Sequence, residues 1–253
     1  MKIIKVLYII LILLLVVCIS GMTALFLIPE KVNTLPTSST PKQDEPTITP
    51  NVEDIILQET EDAGQKYIDK IYFAGESTTA HIFKGGIERS HILVPSSGTC
   101  KLSPEITQIT VGETGLTIPE AVQSAGAEIV ILNYGINNSA NFKEIQFKTY
   151  YEKLINAIKD ASPDTIIIIQ SVYPVTKSYS DSSSITNDIL DKINVWAKEV
   201  ALDNGLPYLD VQSILKDSNN ALKQEYAAED GYHLNEDAYS EIIKYIRTHS
   251  IYQ

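Results

Sequence analysis

Ile71-Tyr72-Phe73-Ala74-Gly75-Glu76-Ser77-Thr78-Thr79-Ala80 changes character within a few residues. Ile71 to Ala74 is a short apolar run and reads as a buried strand. Gly75 permits a tight turn, and Thr78-Thr79-Ala80 opens a helix. A strand that passes through a glycine turn into a helix is the first half of a βαβ unit. Ser77 then sits at the carboxyl end of the strand, where open α/β sheets place their ligands. The N-terminus of the helix aims backbone N–H groups at any negative charge developing there. Taken alone, Ser77 reads first as a plain helix N-cap.

Outward from this stretch the same alternation repeats. Ile129 to Leu132 and Ile166 to Ile169 are β-branched apolar runs, and Pro207 to Val211 is a shorter strand candidate. Continuous apolar strands of this kind fit a parallel sheet covered on both faces. Helical spacing links Ile145, Phe147, Tyr151, Leu154, Ile155 and Ile158. It links Ile185, Ile189, Ile193, Trp196, Ala197 and Val200 as well, ending at Asn204-Gly205. A further helix runs through Ala238, Ile242, Ile243 and Ile246, and residues 52–67 are helix-like. Residues 84–112, broken by Gly, Ser and Pro clusters, read as irregular. The pattern predicts an α/β domain, a three-layer α/β/α sandwich with a mostly parallel sheet, over residues 52–253.

Two segments precede that domain. Val6 to Ile28 is 23 residues without a charge; as a helix it would be roughly 35 Å long, enough to cross a bilayer core. Lys2 and Lys5 before it and Glu30 after it orient the N-terminus inside. Residues 1–28 therefore read as a single-pass transmembrane signal anchor in the cell membrane, with the domain extracellular. A secreted protein with a cleaved signal peptide is the alternative, although Ser20-Gly21-Met22 is a poor cleavage site. Residues 29–51 hold five prolines among Thr and Ser and read as an extended stalk. The whole chain has 253 residues, 44% hydrophobic and 21% charged, with a net charge of −12. That acidity argues against nucleic acid and against an anionic lipid surface as partners. No partner protein is evident. Of the two cysteines, Cys18 lies in the apolar segment and Cys100 in the domain, so no disulfide framework is expected.

The residues able to do chemistry lie in four motifs. Gly75-Glu76-Ser77 offers a nucleophile. Asp230-Gly231-Tyr232-His233 offers a base with a carboxylate near enough to hold its other ring nitrogen, or else a simple Asp-Gly turn with an incidental histidine. Asn133-Tyr134-Gly135-Ile136-Asn137-Asn138 follows the Ile129 strand and places an amide donor at the sheet edge, in what also reads as an ordinary turn. Gly115, in Thr114-Gly115-Leu116-Thr117, offers a main-chain N–H. His81, four residues after Ser77, reads as a structural or cleft residue; His91 and His249 have no partner motif. Cys100 lacks an activating base. Paired-cysteine and His-Glu-x-x-His spacings are missing, so neither a metal nor a cofactor is expected.

In kind and order these motifs resemble the SGNH (GDSL-type) hydrolase family, over roughly residues 68–249. The resemblance implies the flavodoxin-like SGNH hydrolase fold. It makes Ser77 the nucleophile, His233 the base and Asp230 its partner. The Ser77 and Gly115 amides and the Asn137 side chain become the oxyanion hole, with Gly112 a neighbouring alternative to Gly115. Tyr173-Pro174 is similar to a turn often seen in the family. Two positions depart from the family pattern: Glu76 stands where Asp is usual, and so does Asn138. The expected activity is hydrolysis of short acyl esters, O-acetyl above all, on a small molecule or a glycan. Tyr134, Tyr173 and Tyr179 are candidates for stacking on sugar. Glycan O-acyl transfer by the same site, and a catalytically silent surface or carbohydrate-binding domain, are the alternatives.

Overall fold

A computed structural model of the chain describes residues 52–95, 102–103, 109–111, 114–137 and 139–252. The chain divides at residues 48 and 49, and all described residues belong to the second part. The expected anchor and stalk, Cys100, Gly112 and Asn138 lie outside the described residues. No described helix is long and apolar enough to cross a membrane.

The expected strands form: β1 (Ile71–Gly75), β5 (Ile129–Asn133), β6 (Ile166–Gln170) and β7 (Tyr208–Leu209). A short β2 (Ile92–Leu93) joins them in a parallel sheet of order β2-β1-β5-β6-β7. Both faces of the sheet are covered. Phe73, Ile129, Ile131 and Ile168 point into one apolar cluster, and Ala74, Val130, Leu132, Ile167 and Ile169 into the other. Strands buried on both sides lose the polar alternation of a half-exposed strand, which is why they read as unbroken apolar runs. Helices α1 (Ser77–Ala80), α2 (Ile118–Ala125), α3 (Glu144–Ala161), α4 (Lys177–Ser182), α5 (Asn187–Asp203) and α6 (Glu236–Thr248) alternate with the strands. Helices α2, α3 and α5 bury Val122, Phe147, Leu154, Leu190 and Ile193 against one face; α6 buries Tyr239, Ile242 and Ile246 against the other.

Three local expectations are corrected. Residues 52–67 are not one helix. Single helical turns at Val52–Ile55 and Gln65–Ile68 flank an extended stretch in which Ile56 bridges Tyr208 on the sheet edge and Gly64 adopts φ 72°. Edge pairing and a left-handed glycine outweigh helix propensity there. The irregular stretch 84–112 contains β2 and β3 (Ile109–Val111), the latter paired antiparallel with β4 (Thr114–Leu116). Tyr134 and Tyr173 are core residues, each 1% exposed, and offer no ring to a sugar.

The strand order reverses between β1 and β5. The chain moves outward from β1 to β2, then returns to the other side of β1 and continues through β5, β6 and β7. In open α/β sheets the crevice at such a reversal, at the carboxyl ends of the strands, is where ligands bind. Ser77 follows β1 and Asn137 follows β5, so the two motifs flank this crevice.

Candidate active site

The loop after β1 is tightly packed. A Cβ on Gly75 would lie 2.5 Å from the Asn133 carbonyl oxygen, so only glycine lets β1 turn there. Glu76 follows in extended conformation as N-cap of α1, and Ser77 is the first helical residue, half-buried. The Tyr239 hydroxyl of α6 donates to the Thr78 carbonyl at 2.6 Å, tying the serine's helical turn to the helix that follows His233.

Glu76 is 2% exposed, and its side chain reaches across to the loop after β5. Its Oε2 accepts from the backbone N–H of Gly135 at 3.0 Å, Ile136 at 2.7 Å and Asn137 at 3.2 Å. Three successive amides converging on one oxygen form an anion nest. Gly135 makes this turn at φ 129°, and a Cβ there would meet Ile193 Cγ2 at 2.6 Å. Burial pushes the Glu76 carboxyl up and the three N–H bonds pull it back, leaving it at about 7. The glutamate that departs from the family pattern thus shapes the loop that carries Asn137. The buried Asn133 braces the same loop: it accepts from Thr79 Oγ1 at 3.3 Å and donates to the Ser171 carbonyl at 2.7 Å.

The Asp-x-x-His motif closes on itself. His233 Nδ1 lies 2.6 Å from Asp230 Oδ2, and the backbone N–H groups of Tyr232 and His233 donate to Asp230 Oδ1 at 3.0 and 2.9 Å. Burial pushes the Asp230 carboxyl up, but the His233 ring and the two amides outweigh it and hold it at about 2. Ionised Asp230 is thus placed to accept a proton from His233 Nδ1, the arrangement in which Nε2 of an imidazole serves as a base. The loop is fixed from outside as well. Thr176 N–H donates to the Gly231 carbonyl at 2.9 Å, and the Asn235 side chain caps α6 by accepting from Ala238 N–H at 3.1 Å.

Two further side chains join the site. The His81 ring lies 5.2 Å from that of His233, which makes it a cleft residue. Burial, and then the neighbouring His233 and Lys84, push its pKa down, and its buried Nδ1 has no hydrogen-bond partner among the described residues. Tyr232, not singled out by its sequence, donates its hydroxyl to Asn137 Oδ1 at 3.1 Å and comes within hydrogen-bonding reach of Ser77. Its ring stands edge-on to His233 at 4.7 Å. Ser77, Asn137 and the His233 ring thus gather around one phenol, with Asp230 held by the Tyr232 backbone N–H. Among the described residues no hydrogen bond joins Ser77 directly to His233; such catalytic bonds often tighten only when substrate binds. Gly115 lies exposed in β4, opposite Thr110.

The gathered groups are a hydroxyl, a carboxylate-oriented imidazole and a side-chain amide, a set suited to acyl transfer. No group of three or more His, Cys, Asp or Glu suited to a metal occurs among the described residues. A cavity of about 1130 Å³ lined by residues 53–63, 205–207 and 250–252 contains none of the site residues.

The GDSL-like Lipase/Acylhydrolase family matches residues 104–240, a stretch that includes Gly115, Asn137, Asp230 and His233 and begins after Ser77. Among solved structures, a Streptococcus pneumonia protein described as a platelet activating factor is 20% identical, with a TM-score of 0.51 over 78% of this chain and 94% of its own. That likeness concerns the fold. A GDSL-like lipase from Bacteroides thetaiotaomicron is 17% identical, covering 78% of this chain and 87% of that one, with a TM-score of 0.49. A Clostridium thermocellum family 3 carbohydrate esterase is 15% identical, covering 72% and 94%, with a TM-score of 0.45. No match was found among curated protein sequences.

Proposed function

Because this chain belongs to the GDSL-like lipase/acylhydrolase family, we propose that it is a serine esterase that removes short acyl groups, acetyl in the first place, from a hydroxyl-rich substrate such as a glycan. The observation that carries the reading is the convergence of the Asp230–His233 pair, Ser77 and Asn137 on Tyr232 at the sheet's reversal point. In this reading His233 Nε2 takes the proton of Ser77 as Oγ attacks the ester carbonyl. Asp230 holds Nδ1 and stabilises the imidazolium. The oxyanion is met by the Ser77 N–H, the Asn137 amide and the Gly115 N–H. His233 then passes its proton to the departing alcohol, and water, activated by the same histidine, releases the acid. A polar and aromatic surround of Tyr179, Tyr232, His81 and Asn137 suits a small acyl group better than a long chain. Residues 1–28 anchor the enzyme in the membrane and 29–51 hold its domain outside.

The test is hydrolysis of 4-nitrophenyl acetate by the full chain in detergent. Ser77→Ala and His233→Ala should each abolish turnover while the protein stays folded. Activity retained by Ser77→Ala rejects the assignment. Acetyl passed to an added glycan in preference to water would make the enzyme a transferase.

A further inference from the structure

Asn137 is held from two sides. Its backbone N–H is bound by Glu76, and its side-chain oxygen by the Tyr232 hydroxyl, 95 residues away in sequence. An asparagine amide presents an acceptor at one end and a donor at the other, and a rotation of 180° exchanges them. Only the Nδ2 end can stabilise an oxyanion; Oδ1 in its place would repel one. A donor fixed on Oδ1 therefore decides which end faces the reacting carbonyl.

Tyr232 is built to be that donor. Its ring is wedged between Tyr179, at 5.4 Å, and the edge-on contact with His233, so the hydroxyl has little freedom to leave Asn137. Burial, and then the charge of Glu76, push its ionisation well above the ordinary phenol value, so the hydroxyl keeps its proton to donate. We propose that Tyr232 is a positioning residue whose hydroxyl sets the orientation of the Asn137 amide in the oxyanion hole. This rests on Asn137 being an oxyanion donor, as the esterase reading has it.

A double-mutant cycle in kcat and KM for 4-nitrophenyl acetate tests it, on the full chain in detergent, with Tyr232→Phe, Asn137→Ala and both together. Tyr232→Phe should lower kcat about tenfold, less than the ~10²–10³ that removing an oxyanion donor itself costs. KM and Tm should stay near their starting values, and the same change in the Asn137→Ala background should cost nothing further. A general loosening of the loop would lower kcat in both backgrounds. That result, or an unchanged or raised kcat in Tyr232→Phe, overturns the proposal and leaves the esterase reading standing. Hydrolysis that survives both Ser77→Ala and Asn137→Ala sinks the reading and the proposal together.

Discussion

Glu76 carries its charge where only three backbone N–H groups can answer it. Its folded pKa of about 7 stands above the ordinary 4.5, so the fold favours the protonated carboxyl. Between these values the folded protein keeps a proton that the unfolded chain gives up. The contribution of Glu76 is thus fully present below pH 4.5 and is lost as pH rises through 7, by about 3 kcal/mol over the window. Glu76→Gln keeps an acceptor for the nest and cannot ionise. Its Tm should gain on that of the unaltered protein as pH goes from 5 to 8; a constant difference across that range would refute the argument. Asp230 has the opposite shift, and at about 2 it is ionised at any working pH. Asp230→Asn should reduce kcat by ~10² or more with little change in KM, below the ~10⁴ of a deeply buried triad aspartate because this side chain is 51% exposed. A kcat within twofold of the starting value would show that the pair does not orient the base. The Asp230–His233 pairing was legible in the sequence because a local motif names it. The work of Glu76 and Tyr232 was not, because it depends on contacts across 59 to 61 and 95 residues that no local pattern records.

At the scale of elements, legibility followed burial and length. β1, β5 and β6 announce themselves because both faces are covered and every position is apolar or nearly so. Helices α3, α5 and α6 are long enough for several turns of periodic burial. The two residues of β2 and the three of β4 show no period, and their pairing comes from tertiary contact. In sequence the loop after β5 offers an amide donor at the sheet edge or an ordinary Asn/Gly turn, and in the structure Glu76 frames it through three backbone N–H groups. Gly135→Ala tests that frame. The added Cβ meets Ile193 in a conformation that non-glycine residues rarely hold, a cost of about 1–3 kcal/mol. At roughly 2–4 °C per kcal/mol for a domain of this size, Tm should fall by several degrees. Because the same turn aims three amides at Glu76, kcat should fall as well. A loss of Tm with kcat intact would mean that Asn137 is placed by something other than this nest.

For the whole molecule, the proposed anchor and stalk make a prediction that fractionation and proteolysis can check. The first described residues are pinned to the domain: Leu57 N–H donates to the Tyr208 carbonyl at 2.9 Å, and Ala63 N–H to the Arg247 carbonyl at 2.9 Å. Residues 57 and 63 therefore belong to the folded unit. In the proposed arrangement residues 29–51 are the stalk, whose Pro, Thr and Ser content makes it the expected site of proteolytic cleavage. An apolar helix through Val6 to Ile28 would keep the full chain in the membrane fraction through an alkaline wash. Limited proteolysis should then release a soluble fragment beginning within residues 29–51, with the full kcat on 4-nitrophenyl acetate, since no site residue lies in the stalk. Recovery of the protein from the growth medium with a new N-terminus inside residues 15–30 would instead establish a cleaved signal peptide. The esterase site would then act on soluble or distant esters, and not on those within a stalk's length of the membrane.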